Sequence, residues 1–234
     1  MAGPTNVLWY SSVAVQLLFC AHLVWSGLAK KHPIFTVYLG CSVLSSLFAV
    51  YFMLGANGSL LPLSYTYFWL WAEPILLLLQ IAVALEVHSA LWKEYASMVQ
   101  PVRPLLLFAL LMAIVAAAVP LKVELSRFGA LRLQALMQFE FVAKRYISTV
   151  LAIFLLFSAL LFLVVIRNSF RISLFRHETM LAAYFGIYAV AALSINVGWA
   201  KPILVNNYVA SALTLCFVVW MSVFNPDQEL QDGS

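Results

Sequence analysis

Charge is what this chain has least of. Only 9% of its residues are Asp, Glu, Lys or Arg, where an ordinary soluble domain carries about 25%. Aspartate is confined to Asp227 and Asp232 in the C-terminal tail, which excludes the His and Asp sets that hold zinc in intramembrane hydrolases. No serine stands in a Gly-x-Ser-x-Gly elbow and no phosphate-binding glycine loop occurs, so neither acyl nor phosphoryl chemistry is offered. The three cysteines, Cys20, Cys41 and Cys216, match no metal or redox spacing and read as small apolar packing residues. The net charge of +4 is spread along the chain without the clustered basic face that nucleic acid requires. No cofactor, metal or nucleic-acid partner is expected, and an enzyme is disfavoured.

What the chain has in abundance is apolar length: 65% of its residues are hydrophobic. A helix needs about 20 apolar residues to cross a hydrocarbon core about 30 Å thick. Stretches of that kind predict helices at about 6–28, 34–54, 66–92, 104–120, 146–166, 179–200 and 203–224. The expected fold is therefore all-α, a polytopic transmembrane bundle of about seven helices forming one domain over 1–224, with a polar tail at 225–234. Six spans remain open, because the third stretch carries Glu73 and Glu86 and the fourth is short and ends at Pro120.

No Lys or Arg precedes the first stretch and Lys30 and Lys31 follow it, which reads as an anchor and not as a cleaved leader. Basic flanks tend to stay cytoplasmic. An arrangement with the N-terminus outside and the C-terminus inside puts Lys30, Lys31, Lys93, Arg103, Arg167, Arg171 and Arg176 inside. It leaves Lys122, Arg127, Arg132, Lys144, Arg145 and Lys201 outside, a margin of seven to six.

Connections are short, with an Asn57-Gly58 turn signal, and none can hold a folded domain; the tail is too short for an output module. The exception is Leu121 to Arg145, where charged and leucine-rich positions alternate as in a helix at the membrane surface. Gly129 interrupts that pattern, and an extension of the fifth helix is the competing reading. Small residues recur at Ala109, Ala113 and Ala117, and at Ala182 and Gly186, a spacing that lets helices approach closely in lipid.

Ionisable groups at membrane depth are costly and so are candidates for function. Glu73 and Glu86 lie about 20 Å apart along one helix and about 220° apart around it, so they are no acid and base pair. Glu73 shares a face with Trp69, Leu77 and Gln80. That is either a polar pocket or an interfacial glutamate within an aromatic belt. Glu86, with Ser89 and Lys93 on its face, reads as a helix-end salt bridge. Glu140, Lys144 and Arg145 read as a local ion pair and interface anchors. His22 and His88 share one membrane side and could bind a metal or relay protons, although membrane histidines more often bond to a neighbouring helix. Asn207, Ser211 and Thr214 form an i, i+4, i+7 stripe, Tyr184 and Tyr188 form another, and both are expected to point inward. The candidate ligand-binding residues are Glu73, Gln80, Trp69, Tyr184, Tyr188, Asn207 and Ser211.

The stretch Trp69-Leu70-Trp71-Ala72-Glu73-Pro74-Ile75-Leu76-Leu77-Leu78 resembles the third helix of the microbial rhodopsins. That family attaches retinal through a lysine in the seventh helix, and Ile203 to Phe224 contains none; Phe68 also replaces the carboxylate that precedes the matched tryptophan. Photochemistry is thereby set aside. Through Tyr67-Phe68-Trp69…Glu73…Glu86 and Phe175-Arg176-His177…Tyr184-Phe185-Gly186, the chain resembles uncharacterised bacterial seven-helix integral membrane proteins. The resemblance implies a bacterial inner membrane and lends no activity.

Three functions stay open. The leading expectation is a non-enzymatic protein that binds a lipid, a small apolar ligand or a partner subunit within the bundle. The others are a small proton-coupled or solute transporter using Glu73 and Gln80, and a structural accessory subunit. Partners are then the lipid bilayer and a membrane protein or a second copy of the chain.

Overall fold

A computed structural model describes residues 4–55, 63–93, 102–127, 132–165, 172–196 and 202–223. The described residues are helical throughout apart from short turns, with no strand among them. The helices are α1 (Pro4–Trp25), the single turn α2 (Leu28–Lys31), α3 (Pro33–Gly55), α4 (Leu63–Leu91), α5 (Val102–Arg127), α6 (Arg132–Val165), α7 (Ile172–Asn196) and α8 (Pro202–Val223). Four contain segments long and apolar enough to cross a membrane: Pro33–Phe52, Ser64–Leu91, Val102–Val119 and Phe139–Val164.

The boundaries depart from the sequence pattern where local chemistry intervenes. The first helix stops at Trp25 because Gly27 takes a left-handed φ of 77°, a conformation that ends helices readily when no Cβ is present. Its amide bonds back to the Val24 carbonyl at 3.2 Å. A Cβ at Gly27 would meet nothing within 4 Å, so Gly27→Ala carries the backbone penalty alone. We expect it to cost about 1 kcal/mol, seen as a lowered thermal midpoint of the detergent-solubilised protein.

Between Leu121 and Arg145 the described residues belong to α5 and α6, and no separate surface helix is set off among them. α5 runs through Pro120 to Arg127, and α6 starts at Arg132 and continues unbroken for 34 residues. Proline removes one backbone donor, and the long helix around it absorbs that loss; Pro74 is likewise carried inside α4. Gly129, the Asn57-Gly58 turn and the 225–234 tail lie outside the described residues.

Six long helices close into a ring in which α1 packs on α3 and α8, α4 on α3 and α6, and α7 on α6 and α8, while α4 and α7 also touch across the middle. α5 packs on the outside of α6. It buries Leu106, Leu110, Ala113 and Ala117 and exposes Leu105, Phe108 and Met112. The central core is aromatic and aliphatic: Phe19, Phe35, Leu39, Leu151, Leu155, Leu181, Phe185, Phe217 and Trp220 are all buried. Phe217 and Trp220 stack at 6.3 Å, and Phe35 leans on Trp220 at 5.0 Å.

Candidate functional site

Where the ring is not filled by apolar side chains it leaves a partly open cavity of about 440 Å³, within the usual range of small-molecule sites. Helices α1, α3, α4, α6, α7 and α8 all contribute to its wall. α1 supplies Ser12 and Gln16, and α3 supplies Tyr38, Ser42, Ser45 and Ser46. α4 supplies Trp69, Glu73 and Gln80, while Lys144, Tyr188 and Asn207 come from α6, α7 and α8.

An ion pair fixes one side. Lys144 Nζ donates to both Glu73 oxygens, at 3.0 and 2.9 Å, with side chains only 24% and 19% exposed. The ammonium also lies 5.0 Å from the Tyr188 ring centre, so a carboxylate and an aromatic face share the cation. One turn earlier on α6, Glu140 keeps a buried Oε1 without a hydrogen-bond partner among the described residues. Lys144 therefore does not serve as part of a local anchor with Glu140 and Arg145. It reaches across to α4, and Arg145 lies 4.5 Å from the Tyr146 ring centre.

Further along α4, about 10 Å from Glu73, Gln80 Nε2 donates to the Tyr38 hydroxyl at 3.1 Å. The Tyr38 hydroxyl is hydrogen-bonded in turn to that of Tyr184. This buried chain joins α4, α3 and α7. Gln80 is 3% exposed, and its Oε1 has no partner among the described residues, nor has Trp69 Nε1. A buried acceptor and a buried donor without partners are costly, and both belong to side chains that line the cavity.

Of the residues singled out from sequence, Glu73, Gln80, Trp69, Tyr188 and Asn207 line the cavity. Tyr184 stands behind the wall, bonded to Tyr38. Ser211 is exposed and donates to the Asn207 carbonyl at 3.0 Å, and Thr214 bonds to the Ala210 carbonyl at 2.7 Å. Both hydroxyls are turned onto their own helix. Sequence reasoning missed Ser12, Gln16, Tyr38, Ser42 and Lys144. The i, i+4 pair Ser12 and Gln16, and the serines at 42, 45 and 46, were the signal available.

Glu86 does something else. Its two oxygens accept from the backbone amides of Ile34 and Phe35, at 3.0 and 2.9 Å. It thereby caps the start of α3 from another helix, and Ser89 takes Arg103 as a partner at 2.9 Å. The expected salt bridge to Lys93 gives way to this cap because free amides at a helix start draw a carboxylate strongly.

The histidines sit at that same end. His88 Nδ1 is 2.9 Å from Ser158 Oγ, whereas His177 Nδ1 accepts from Trp220 Nε1 at 2.9 Å. His22 keeps a buried Nε2 with no hydrogen-bond partner among the described residues. Among the described residues no three His, Cys, Asp or Glu side chains are grouped to hold a metal. On the outer face between α7 and α8, an apolar hollow of about 570 Å³ is lined by residues including Gly186, Ile187, Val190, Val205 and Tyr208.

Comparison with family models, with curated proteins and with solved structures gives no match to this chain.

Proposed function

We propose that this chain is an integral membrane protein whose seven long helices all span the bilayer, and that it binds a small polar molecule in the central cavity without chemistry of its own. The shortest of the seven, α1 and α8, have 22 residues each, about 33 Å of helix, enough to cross the hydrocarbon core. Large apolar side chains such as Leu18, Phe48, Trp71, Phe157 and Val164 face outward, which suits lipid and would be a liability in water. With Lys144 engaged inside the bundle, the basic flanks divide seven to five in favour of an outside N-terminus, which fits a bacterial inner membrane.

The observation that carries the binding reading is the pairing of unsatisfied groups on the cavity wall. Gln80 Oε1 asks for a donor and Trp69 Nε1 for an acceptor, on either side of the Glu73–Lys144 pair. A ligand donor satisfies the first and a ligand acceptor the second. That chemistry favours a polar ligand in this cavity over an apolar one.

Native mass spectrometry of the protein extracted in mild detergent tests this. A retained adduct of defined mass is expected in the unaltered protein and is expected to disappear in Gln80→Leu, which keeps side-chain volume and removes the amide. An adduct that survives Gln80→Leu places the ligand elsewhere, and a bare monomer removes the retained-ligand reading.

Transport is the second reading, because the aromatic rings of Phe217, Trp220 and Phe35 lie between Tyr184, behind the cavity wall, and the polar His177. Polar compartments on both sides of a plug are what an occluded pathway requires. Proton flux into vesicles carrying the protein is then expected to be lost in Glu73→Gln, and unchanged flux rules out that role for Glu73.

A further inference from the structure

About 12 Å beyond Gln80 along α4 and about 21 Å beyond Lys144 along α6, three helices converge on a cluster that ligand binding does not use. His88 of α4 is 2% exposed, Ser158 of α6 3%, and Glu178 of α7 fully buried. His88 Nδ1 lies 2.9 Å from Ser158 Oγ and 3.8 Å from Glu178 Oε1. Trp92 Nε1 donates to the same serine hydroxyl at 2.8 Å. Neither Glu178 oxygen has a hydrogen-bond partner among the described residues, and neither has His88 Nε2.

The groups facing Glu178 limit its options. His88 Nδ1 faces it from α4 at 3.8 Å, and the Ser158 hydroxyl of α6 is bonded to that same nitrogen. Beside it on α7, His177 accepts from Trp220 of α8 and lies against His32, at the start of α3, with ring centres 4.8 Å apart. A fully buried carboxylate with no donor costs several kcal/mol. One proton relieves this in either of two places: on Glu178 as the neutral acid, or on His88 as an imidazolium facing the carboxylate.

The serine suits both arrangements. Because Trp92 already donates to Ser158 Oγ, that hydroxyl has one hydrogen of its own to place. It donates to Nδ1 when His88 is neutral. It accepts from Nδ1 when His88 is protonated. In passing between the two states the carboxyl O–H bond breaks and an Nδ1–H bond forms, so total charge is conserved.

We propose that His88 and Glu178 form a buried binding site for a single proton, held on the carboxyl or on the imidazole, with Ser158 as the hydrogen-bond partner of the imidazole in both states. The site is built from side chains separate from the cavity wall, so it stands whether or not the cavity binds a ligand.

The test uses the full chain reconstituted in phosphatidylcholine vesicles at neutral pH. Infrared spectra in H₂O and D₂O report a protonated carboxyl, and nitrogen NMR of ¹⁵N-histidine-labelled protein reports imidazole charge. The expected result is one of two signatures: a deuterium-sensitive carboxyl band abolished by Glu178→Gln, or imidazolium resonances abolished by His88→Asn. Should Glu178→Gln fail to fold, Glu178→Asp in protein labelled with ¹³C-glutamate is expected to replace the labelled band by an unlabelled one. A spectrum in which Glu178 contributes no protonated carboxyl and His88 is neutral overturns the proposal.

Discussion

Lys144→Met is expected to cost about 3 kcal/mol of stability, the scale of removing one partner from a buried ion pair. The reason lies less in the lost attraction than in what is left behind. Glu73 receives two hydrogen bonds from Lys144, and in the variant its carboxylate remains in the interior with neither. A double variant, Glu73→Gln with Lys144→Met, removes both charges and is expected to recover most of the loss, because a neutral pair carries little desolvation penalty. Unfolding of the purified protein in detergent, titrated with dodecyl sulfate, measures both. If the single and double variants lose equal stability, the stranded charge is not the cause and the pair does not hold α4 to α6.

Glu86→Ala is expected to cost a similar amount, about 3 kcal/mol, from two charge-assisted hydrogen bonds worth about 1.5 kcal/mol or more each. The first amides of a helix have no partner within the helix. At α3 those of Ile34 and Phe35 donate to a carboxylate from α4, the first bond exposed and the second half-buried. Glu86→Gln keeps an acceptor and gives up the charge that complements the helix dipole, so it is expected to lose roughly half as much. Hydrogen exchange at the start of α3 locates the effect: faster exchange at Ile34 and Phe35 in Glu86→Ala is the expected result, and unchanged protection there would show that the cap does not hold the helix start.

These two glutamates illustrate how legible the site was in the sequence. Both stand out as ionisable groups in an apolar helix, and the 220° between their faces separates their roles. What each one meets was not legible. Lys144 lies 71 residues from Glu73, and the amides of Ile34 and Phe35 are 52 and 51 residues from Glu86; no periodicity within one helix reports on such distances. Local rules pointed instead to partners one or two turns away on the same stretch, Glu140 for Lys144 and Lys93 for Glu86, and tertiary contacts overrode both. Ser211 shows the converse. Its place in a polar stripe suggested an inward face, yet a serine in an apolar helix can satisfy itself on the carbonyl four residues back, and this one does.

The sequence by itself determined that the chain is helical and apolar over nearly its whole length. Backbone hydrogen bonding in a helix is local, and the length of an apolar run is a property of consecutive residues. It also determined which few polar groups would be expensive to bury. Only the tertiary structure decided which of them meet: Glu73 with Lys144 and Tyr188, Gln80 with Tyr38 and Tyr184, Glu86 with the start of α3, His88 with Ser158 and Glu178. Those pairings depend on the order and rotation of helices around the ring. Helix rotation is set by side-chain packing between segments far apart in the chain, and an apolar surface facing lipid looks, in sequence, the same as one facing another helix.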